Sequence, residues 1–253
     1  MSSRKTLLLT GATGLIGRRL ARHFLEQGQI VVTTSRRRTA LDALAAELAG
    51  LPGTLVPLEI DLLSADLHSV ASDLRQRGLS PHQLVNNARD LANLSPDATG
   101  WPRRSQWIAE FELGVVIPAQ FAVALATETD SCLEAVVNIA SIYGNVASNP
   151  HLYDDPKKET PVHYGVAKAA LLHLTKELAV RLAPRGIRVN AVSYGGVEGR
   201  ADEAFKTRYA RLSPSGRMLH VDEVPGVVEF LLSRAASAIT GHNLLADGGW
   251  TLW

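Results

Sequence analysis

Three glycines at three-residue spacing, Gly11, Gly14 and Gly17, separate two unlike stretches of chain. Before them, Leu7-Leu8-Leu9-Thr10 predicts a strand. After them, residues 15–27 predict a helix with Ile16, Leu20, Phe24 and Leu25 on one side, Arg18, Arg19, Arg22 and Glu26 on the other, and Gly28 as its stop. A helix N-terminus carries unsatisfied N–H groups and a partial positive charge. Glycines there let a pyrophosphate approach the backbone and let the helix pack closely on the strand. A tight, capped turn uses the same residue types. The position between a first strand and a first helix favours a dinucleotide site, with Gly11, Thr13, Gly14, Ile16 and Gly17 as candidate contacts.

The alternation continues. Residues 30–34, 54–60, 84–85, 134–140, 187–192 and 243–246 predict further strands. Residues 41–51, 67–78, 163–183 and 222–232 predict helices between and around them. This order predicts an α/β chain with one Rossmann-type, doubly wound, seven-stranded parallel sheet and helices on both faces. Residues 1–253 read as a single domain. Residues 145–160, rich in Pro, Asp, Asn and Lys, read as a surface loop.

Composition removes several function classes. The 253 residues are 46% hydrophobic and 20% charged, which excludes a disordered chain. Lys and Arg number 26 against 25 Asp and Glu, so no basic excess argues for nucleic acid. The one cysteine, Cys132, excludes an internal disulfide, and the scattered histidines predict no metal site. No uninterrupted apolar stretch long enough for a membrane span is found, and the apolar run after Met1–Thr6 is too short for a signal peptide. A cytoplasmic protein with no membrane or nucleic-acid partner is expected.

The end of the second predicted strand bears on the dinucleotide. An NAD site places Asp or Glu there, and an NADP site uses Arg near the 2′-phosphate. Here the sequence reads Thr33-Thr34-Ser35-Arg36-Arg37-Arg38, without a carboxylate. It predicts NADP(H), with Ser35, Arg36 and Arg37 as contacts. A solvated basic turn is the alternative.

Tyr164 and Lys168 stand at i and i+4 on one predicted helix face. A phenol with pKa about 10 is a poor acid at neutral pH, and a neighbouring ammonium stabilises its phenolate. Such a pair can exchange a proton with a carbonyl or carbinol oxygen. Alone, the pair is equally a helix face. Ser141, however, falls just past the fifth predicted strand, at the sheet edge where ligands bind. Its hydroxyl can hold the substrate oxygen, or simply cap a turn.

These motifs resemble the short-chain dehydrogenase/reductase family along almost the whole chain. The resemblance rests on the glycine loop, Asp61-Leu62, Asn86-Asn87-Ala88, Asn138 to Ser141, Tyr164 with Lys168, Asn190-Ala191 and Asp247-Gly248-Gly249. It implies that Asp61 and Leu62 meet the adenine, that Asn87 and Ala88 line the cofactor cleft, and that Val197 touches the cofactor. It further implies that Ser141 polarises a carbonyl, Tyr164 donates the proton, and Lys168 binds ribose and tunes Tyr164. The expected substrate is a small carbonyl or alcohol, and the expected assembly a homotetramer or dimer.

Four departures stand out. The glycine spacing is that of the nucleotide-sugar branch. Gly114 takes the place of an Asn that serves the proton relay. Tyr194-Gly195 replaces a Pro-Gly, and Gly199 a Thr, near the nicotinamide end. Arg89 replaces a Gly, and either attracts an anionic substrate group or turns to solvent. Ser141 and Tyr164 are also unusually far apart, so residues 145–161 read as an insertion beside the site that builds a substrate wall or decorates the surface. Ser141 to Gly144, the insertion and Pro161-Val162-His163-Tyr164 together resemble reductases of bacterial surface-sugar and flagellin-glycan pathways. A general ketone, aldehyde or 3-oxoacyl substrate competes with a sugar, and a catalytically weak NADP(H)-binding protein is the non-enzymatic alternative.

Overall fold

Short apolar runs alternate their side chains between two faces, and here both faces are covered. The computed structural model describes residues 4–95, 97, 99–199 and 201–253, so Met1–Ser3 lie outside it. Its strands are β1 (Thr6–Thr10), β2 (Ile30–Ser35), β3 (Thr54–Glu59), β4 (Gln83–Asn86), β5 (Ala135–Ile139), β6 (Arg188–Tyr194) and β7 (Asn243–Ala246). They form one parallel sheet in the order β3-β2-β1-β4-β5-β6-β7. This is the doubly wound architecture expected. Pro57, which cannot donate to a ladder, sits on the edge strand β3.

Leu7 and Leu9 of β1 face one core, with Leu20 and Phe24 of α1 (Leu15–Glu26), Leu44 of α2 (Arg38–Glu47) and Val228 of α9 (Val224–Leu232). Leu8 faces the other, with Leu74 of α3 (Leu67–Gln76), Phe121 of α5 (Ile117–Thr127) and Leu178 of α7 (Val162–Leu182). One residue of register thus separates the two cores. Because β1 lies between β2 and β4, the chain leaves it in opposite directions. The crevice at its carboxyl end is the switch point where such sheets bind ligands.

Helical segments absent from the sequence reading appear. One is α4 (Arg104–Phe111), a π-helical turn (Glu112–Val116) and α5 in series. Its last part, α5, is apolar on most sides and contains Pro118, which conceals helical periodicity. A window within residues 104–127 has the length and mean hydropathy of a membrane span, but Glu110, Glu112 and Gln120 interrupt it, so it is not an uninterrupted apolar stretch. Here Phe121, Ala122, Ala124 and Leu125 are buried in the core. The other is the polar helix α8 (Glu203–Leu212), capped by Asp202, whose carboxylate accepts the Phe205 N–H at 2.7 Å. The region 145–160 is not simply a surface loop. It contains a 3-10 turn at Pro150–Leu152 and the short α6 (Pro156–Glu159). Leu152 is fully buried against Ile142, Tyr209, Met218 and Trp250.

Candidate active site

The glycine loop is tied to the end of β4. Gly11 has φ +71°, and a Cβ there would lie 2.7 Å from Ala88 Cα. Thr10 Oγ1 accepts the backbone N–H groups of Asn87 and Ala88 at 2.9 and 3.0 Å. Asn87 Nδ2 donates to the carbonyls of Thr10 and Gly11 at 3.0 and 3.1 Å. Thr10 is therefore a site residue that sequence reasoning missed. A hydroxyl at the last position of a buried strand was its one signal.

Gly14 is the N-cap of α1. Among the described residues no side chain caps this helix and no acid stands in its first turn. A Cβ on Gly14 would meet only Gly11 O, at 3.6 Å, so its open side faces the crevice. An uncapped helix start beside an open glycine suits a pyrophosphate. Gly17 behaves differently from the expectation. It does not line the crevice. A Cβ there would lie 2.2 Å from Gly11 O and 2.8 Å from Ala12 Cα, so it permits helix-on-strand packing instead of contacting a ligand.

A cleft of about 1180 Å³ runs along the carboxyl edge of the sheet. Gly11, Thr13, Gly14 and Ile16 form its floor. Ser35, Arg36 and Arg37 stand at one end with Asp61 and Leu62, and Asn87 and Ala88 form a wall. Ser141, Tyr164 and Val197 lie at the other end. These residues fit a dinucleotide laid across the switch point. Arg36 donates to Asp90 at 2.9 Å, whereas Arg38 is engaged by Asp42 within α2. Among the described residues no three His, Cys, Asp or Glu groups come together as a metal ion needs.

Ser141 is 8% exposed, and its Oγ accepts the Tyr143 N–H at 3.2 Å, so it caps a turn as well as facing the cleft. Below it, Asn145 Nδ2 donates to Ser141 O and Ser193 Oγ at 3.1 and 3.0 Å, which fixes the turn. Lys168, one turn after Tyr164 on α7, is not on the cleft surface. Its Nζ donates to Ile139 O at 2.7 Å and lies 5.7 Å from the Tyr164 ring centroid. Burial pushes the ammonium pKa down, and Tyr164 opposes this. Lys168 instead borders a void of about 10 Å³ shared with Gly114 and Asn86, about the size of one water. The buried Asn86 Oδ1, unpartnered among the described residues, gives such a water an acceptor.

Three departures gain a physical account. The Arg89 guanidinium lies over the Tyr164 ring, 4.0 Å from its centroid, while the residue stays exposed to solvent. Tyr194 is buried and donates to Val224 O at 2.6 Å, so its hydroxyl is committed to the core. Gly199 has φ +130°, a conformation that favours glycine, and packs against Leu15.

The inserted region does form part of the cleft wall, through Leu152, Tyr153, Lys158, Glu159 and Pro161. Several of its polar side chains are paired within the protein or exposed. Asp154 pairs with Arg208 at 3.0 Å, Asp155 with Lys158 at 2.8 Å, and His151 is exposed. Tyr153 of the insertion, with Phe205 and Tyr209 of α8, makes this part of the cleft aromatic, and Trp250 backs them from the core. Tyr153, Phe205, Tyr209 and Trp250 follow one another at centroid distances of 5.7, 6.4 and 4.3 Å, and the hydroxyls of Tyr143 and Tyr153 are hydrogen bonded.

Comparison with known proteins agrees with this geometry. The sequence model of a family described as enoyl-(acyl carrier protein) reductase matches residues 11–251. The chain is 33% identical over 257 residues to an uncharacterized short-chain type dehydrogenase/reductase, y4vI, of Sinorhizobium fredii. That match covers 97% of this chain and 43% of the relative, so the chain spans less than half of that protein. It is 31% identical to the 3-oxoacyl-[acyl-carrier-protein] reductase FabG of Thermotoga maritima, with 97% of both chains covered. It is 25% identical to post-translational flagellin modification protein A of Campylobacter coli over the full length of both. Among solved structures, a short chain dehydrogenase from Leptospira borgpetersenii with bound NAD+ superposes with TM-score 0.84 at 26% identity, covering 98% and 93% of the two chains. An oxidoreductase scaffold with this strand order, this glycine turn and these relatives has one reading: the chain belongs to the short-chain dehydrogenase/reductase family.

Proposed function

We propose that this protein is an NADP(H)-dependent reductase that interconverts a carbonyl and an alcohol. The observation that carries the reading is the convergence of Ser141 and Tyr164 at one end of a cleft whose other end offers Arg36 and Arg37. The bound dinucleotide supplies or takes up hydride. Ser141 donates a hydrogen bond to the substrate oxygen and orients it. Tyr164 gives its phenolic proton to that oxygen as the carbonyl becomes a carbinol, or takes it back in the reverse direction. The Arg89 guanidinium and the Lys168 ammonium lie 4.0 and 5.7 Å from the ring centroid and place positive charge beside the reacting phenol. The absence of a carboxylate at the end of β2 supports NADP(H) over NAD(H).

The test measures NADPH and NADH oxidation with ketones, aldehydes, 3-oxoacyl thioesters and keto sugars. Tyr164→Phe should lower turnover by about 10²–10⁴-fold and leave NADPH binding within a few-fold. A lower KM for NADH than for NADPH overturns the cofactor assignment. NADPH binding without turnover of any carbonyl favours a binding protein.

The aromatic wall favours a sugar-derived substrate as a second reading, since ring C–H faces stack well on Tyr153 and Phe205. Similarity to the flagellin modification protein points the same way. We further propose a cytoplasmic homodimer or tetramer without membrane or nucleic-acid partners. Exposed Val162, Val166 and Val180 on α7, with Ile108 and Val123 on α4 and α5, supply apolar contact surface. Light scattering after size exclusion tests the assembly.

A further inference from the structure

The arginine assigned to the 2′-phosphate is not idle. Arg36 follows the last residue of β2, and Asp90 lies four residues past β4. In the sheet, β1 lies between these strands, and the glycine turn emerges from β1. The contact from Arg36 Nη2 to Asp90 Oδ2, at 2.9 Å, therefore spans the mouth of the crevice above the turn. Both residues line the cleft.

The two halves of this pair are unequal. Asp90 is anchored. Its side chain is 21% exposed, and its second oxygen accepts the Ala92 N–H at 3.0 Å, capping the 3-10 turn Leu91–Leu94. Arg36 is 54% exposed and, among the described residues, makes this one charge-assisted hydrogen bond. An exposed guanidinium with further free N–H donors can turn from one acceptor to a better one. A phosphate offers three oxygens and about twice the charge of a carboxylate.

We propose that Asp90 is a specificity-determining residue that competes with the 2′-phosphate of NADP(H) for Arg36. With NAD(H) the pair stays closed, and no arginine is left without a partner. With NADP(H) the guanidinium must leave Asp90, whose anchored carboxylate remains near the incoming anion and repels it. Asp90 thus narrows the preference that Arg36 and Arg37 create, and the site accepts both cofactors more evenly than the basic run alone implies. The inference rests on the NADP(H) reading above and concerns binding, not the chemical step.

The experiment is calorimetric titration of the full chain with NADP+ and NAD+, which differ only in the 2′-phosphate. It compares the wild type, Asp90→Asn and Arg36→Ala. The Asn side chain keeps an oxygen to accept the Ala92 N–H, so the turn is retained. The expected result is NADP+ affinity raised about 3–5-fold in Asp90→Asn, with NAD+ within about twofold, because the competitor for one exposed charge is removed. If Arg36→Ala abolishes a wild-type preference for NADP+ while Asp90→Asn leaves it unchanged, the competition is refuted and the NADP(H) reading survives. If the wild type binds both dinucleotides alike and neither substitution alters either affinity, the NADP(H) reading and the inference fail together.

Discussion

Gly17→Ala tests whether the third glycine serves packing or ligand binding. The added methyl would lie 2.2 Å from Gly11 O, 2.7 Å from Asn87 Nδ2 and 2.8 Å from Ala12 Cα. Two of these are backbone atoms of the strand–helix turn, so α1 must move away from β1. Overpacking of this kind costs about 3 kcal/mol at the upper end. Replacing Gly by Ala within a helix returns about 1 kcal/mol. The net loss of about 2 kcal/mol corresponds to about 4–8 °C in Tm for a chain of this size. Gly226→Ala in α9 is the control, because a Cβ there meets nothing within 4 Å. It should raise Tm slightly. Gly14→Ala separates the other role. Its methyl meets only Gly11 O at 3.6 Å, so Tm should hold while dinucleotide affinity falls about tenfold. Calorimetry and cofactor titration read both effects. A Gly17→Ala protein as stable as the wild type, but with weakened cofactor binding, would refute the packing argument.

Gly114→Asn should fold normally, since a Cβ there lies 3.9 Å from Ala167 Cβ and 4.0 Å from Glu110 Oε1. Turnover should rise by more than about twofold if the relay lacks this amide, and a smaller change shows Gly114 to be irrelevant to it. Tyr194→Phe removes a buried hydrogen bond to Val224 O and should cost about 1–3 kcal/mol, read by denaturant melts, with the KM for NADPH unmoved. Glu110 is buried, and desolvation pushes its carboxyl pKa up against the opposing charges of Arg89, Lys168 and His163. A raised folded-state pKa means stability that is present below the ordinary carboxylate range and lost as pH rises through the raised value. Glu110→Gln should therefore gain in Tm over the wild type as pH rises above the ordinary carboxylate range. A difference independent of pH contradicts this.

Strands were read well because a parallel sheet covered on both faces turns its members into apolar runs such as Leu7 to Leu9 and Ala135 to Val137. Amphipathic α1 and α3 were legible for the same kind of reason. The series over 104–127 was not. A polar α4, a π-helical turn, and an α5 apolar on most sides with Pro118 leave no continuous stripe to detect. The polar helix α8 buries Tyr209 alone among its residues and gave a weaker signal still. Within the site, cleft residues were found wherever a motif fixed them. Gly17 was misassigned because glycine in a motif can serve either ligand approach or packing, and only the neighbouring atoms tell these apart.

By itself, the sequence determined the fold class and the small set of residues brought to the crevice. Periodicity and the Gly11, Gly14 and Gly17 turn act over a few residues, and local chemistry specifies them. Tertiary structure decided what each side chain faces. It turned Arg89 over Tyr164, committed the Tyr194 hydroxyl to Val224 O, and buried Lys168 against Ile139 O. It set Asp90 across the crevice from Arg36 and packed Tyr153 of the insertion against Phe205 of α8. These outcomes depend on contacts between segments far apart in the chain, whose geometry is set by packing against both faces of the sheet and not by the spacing of residues along it.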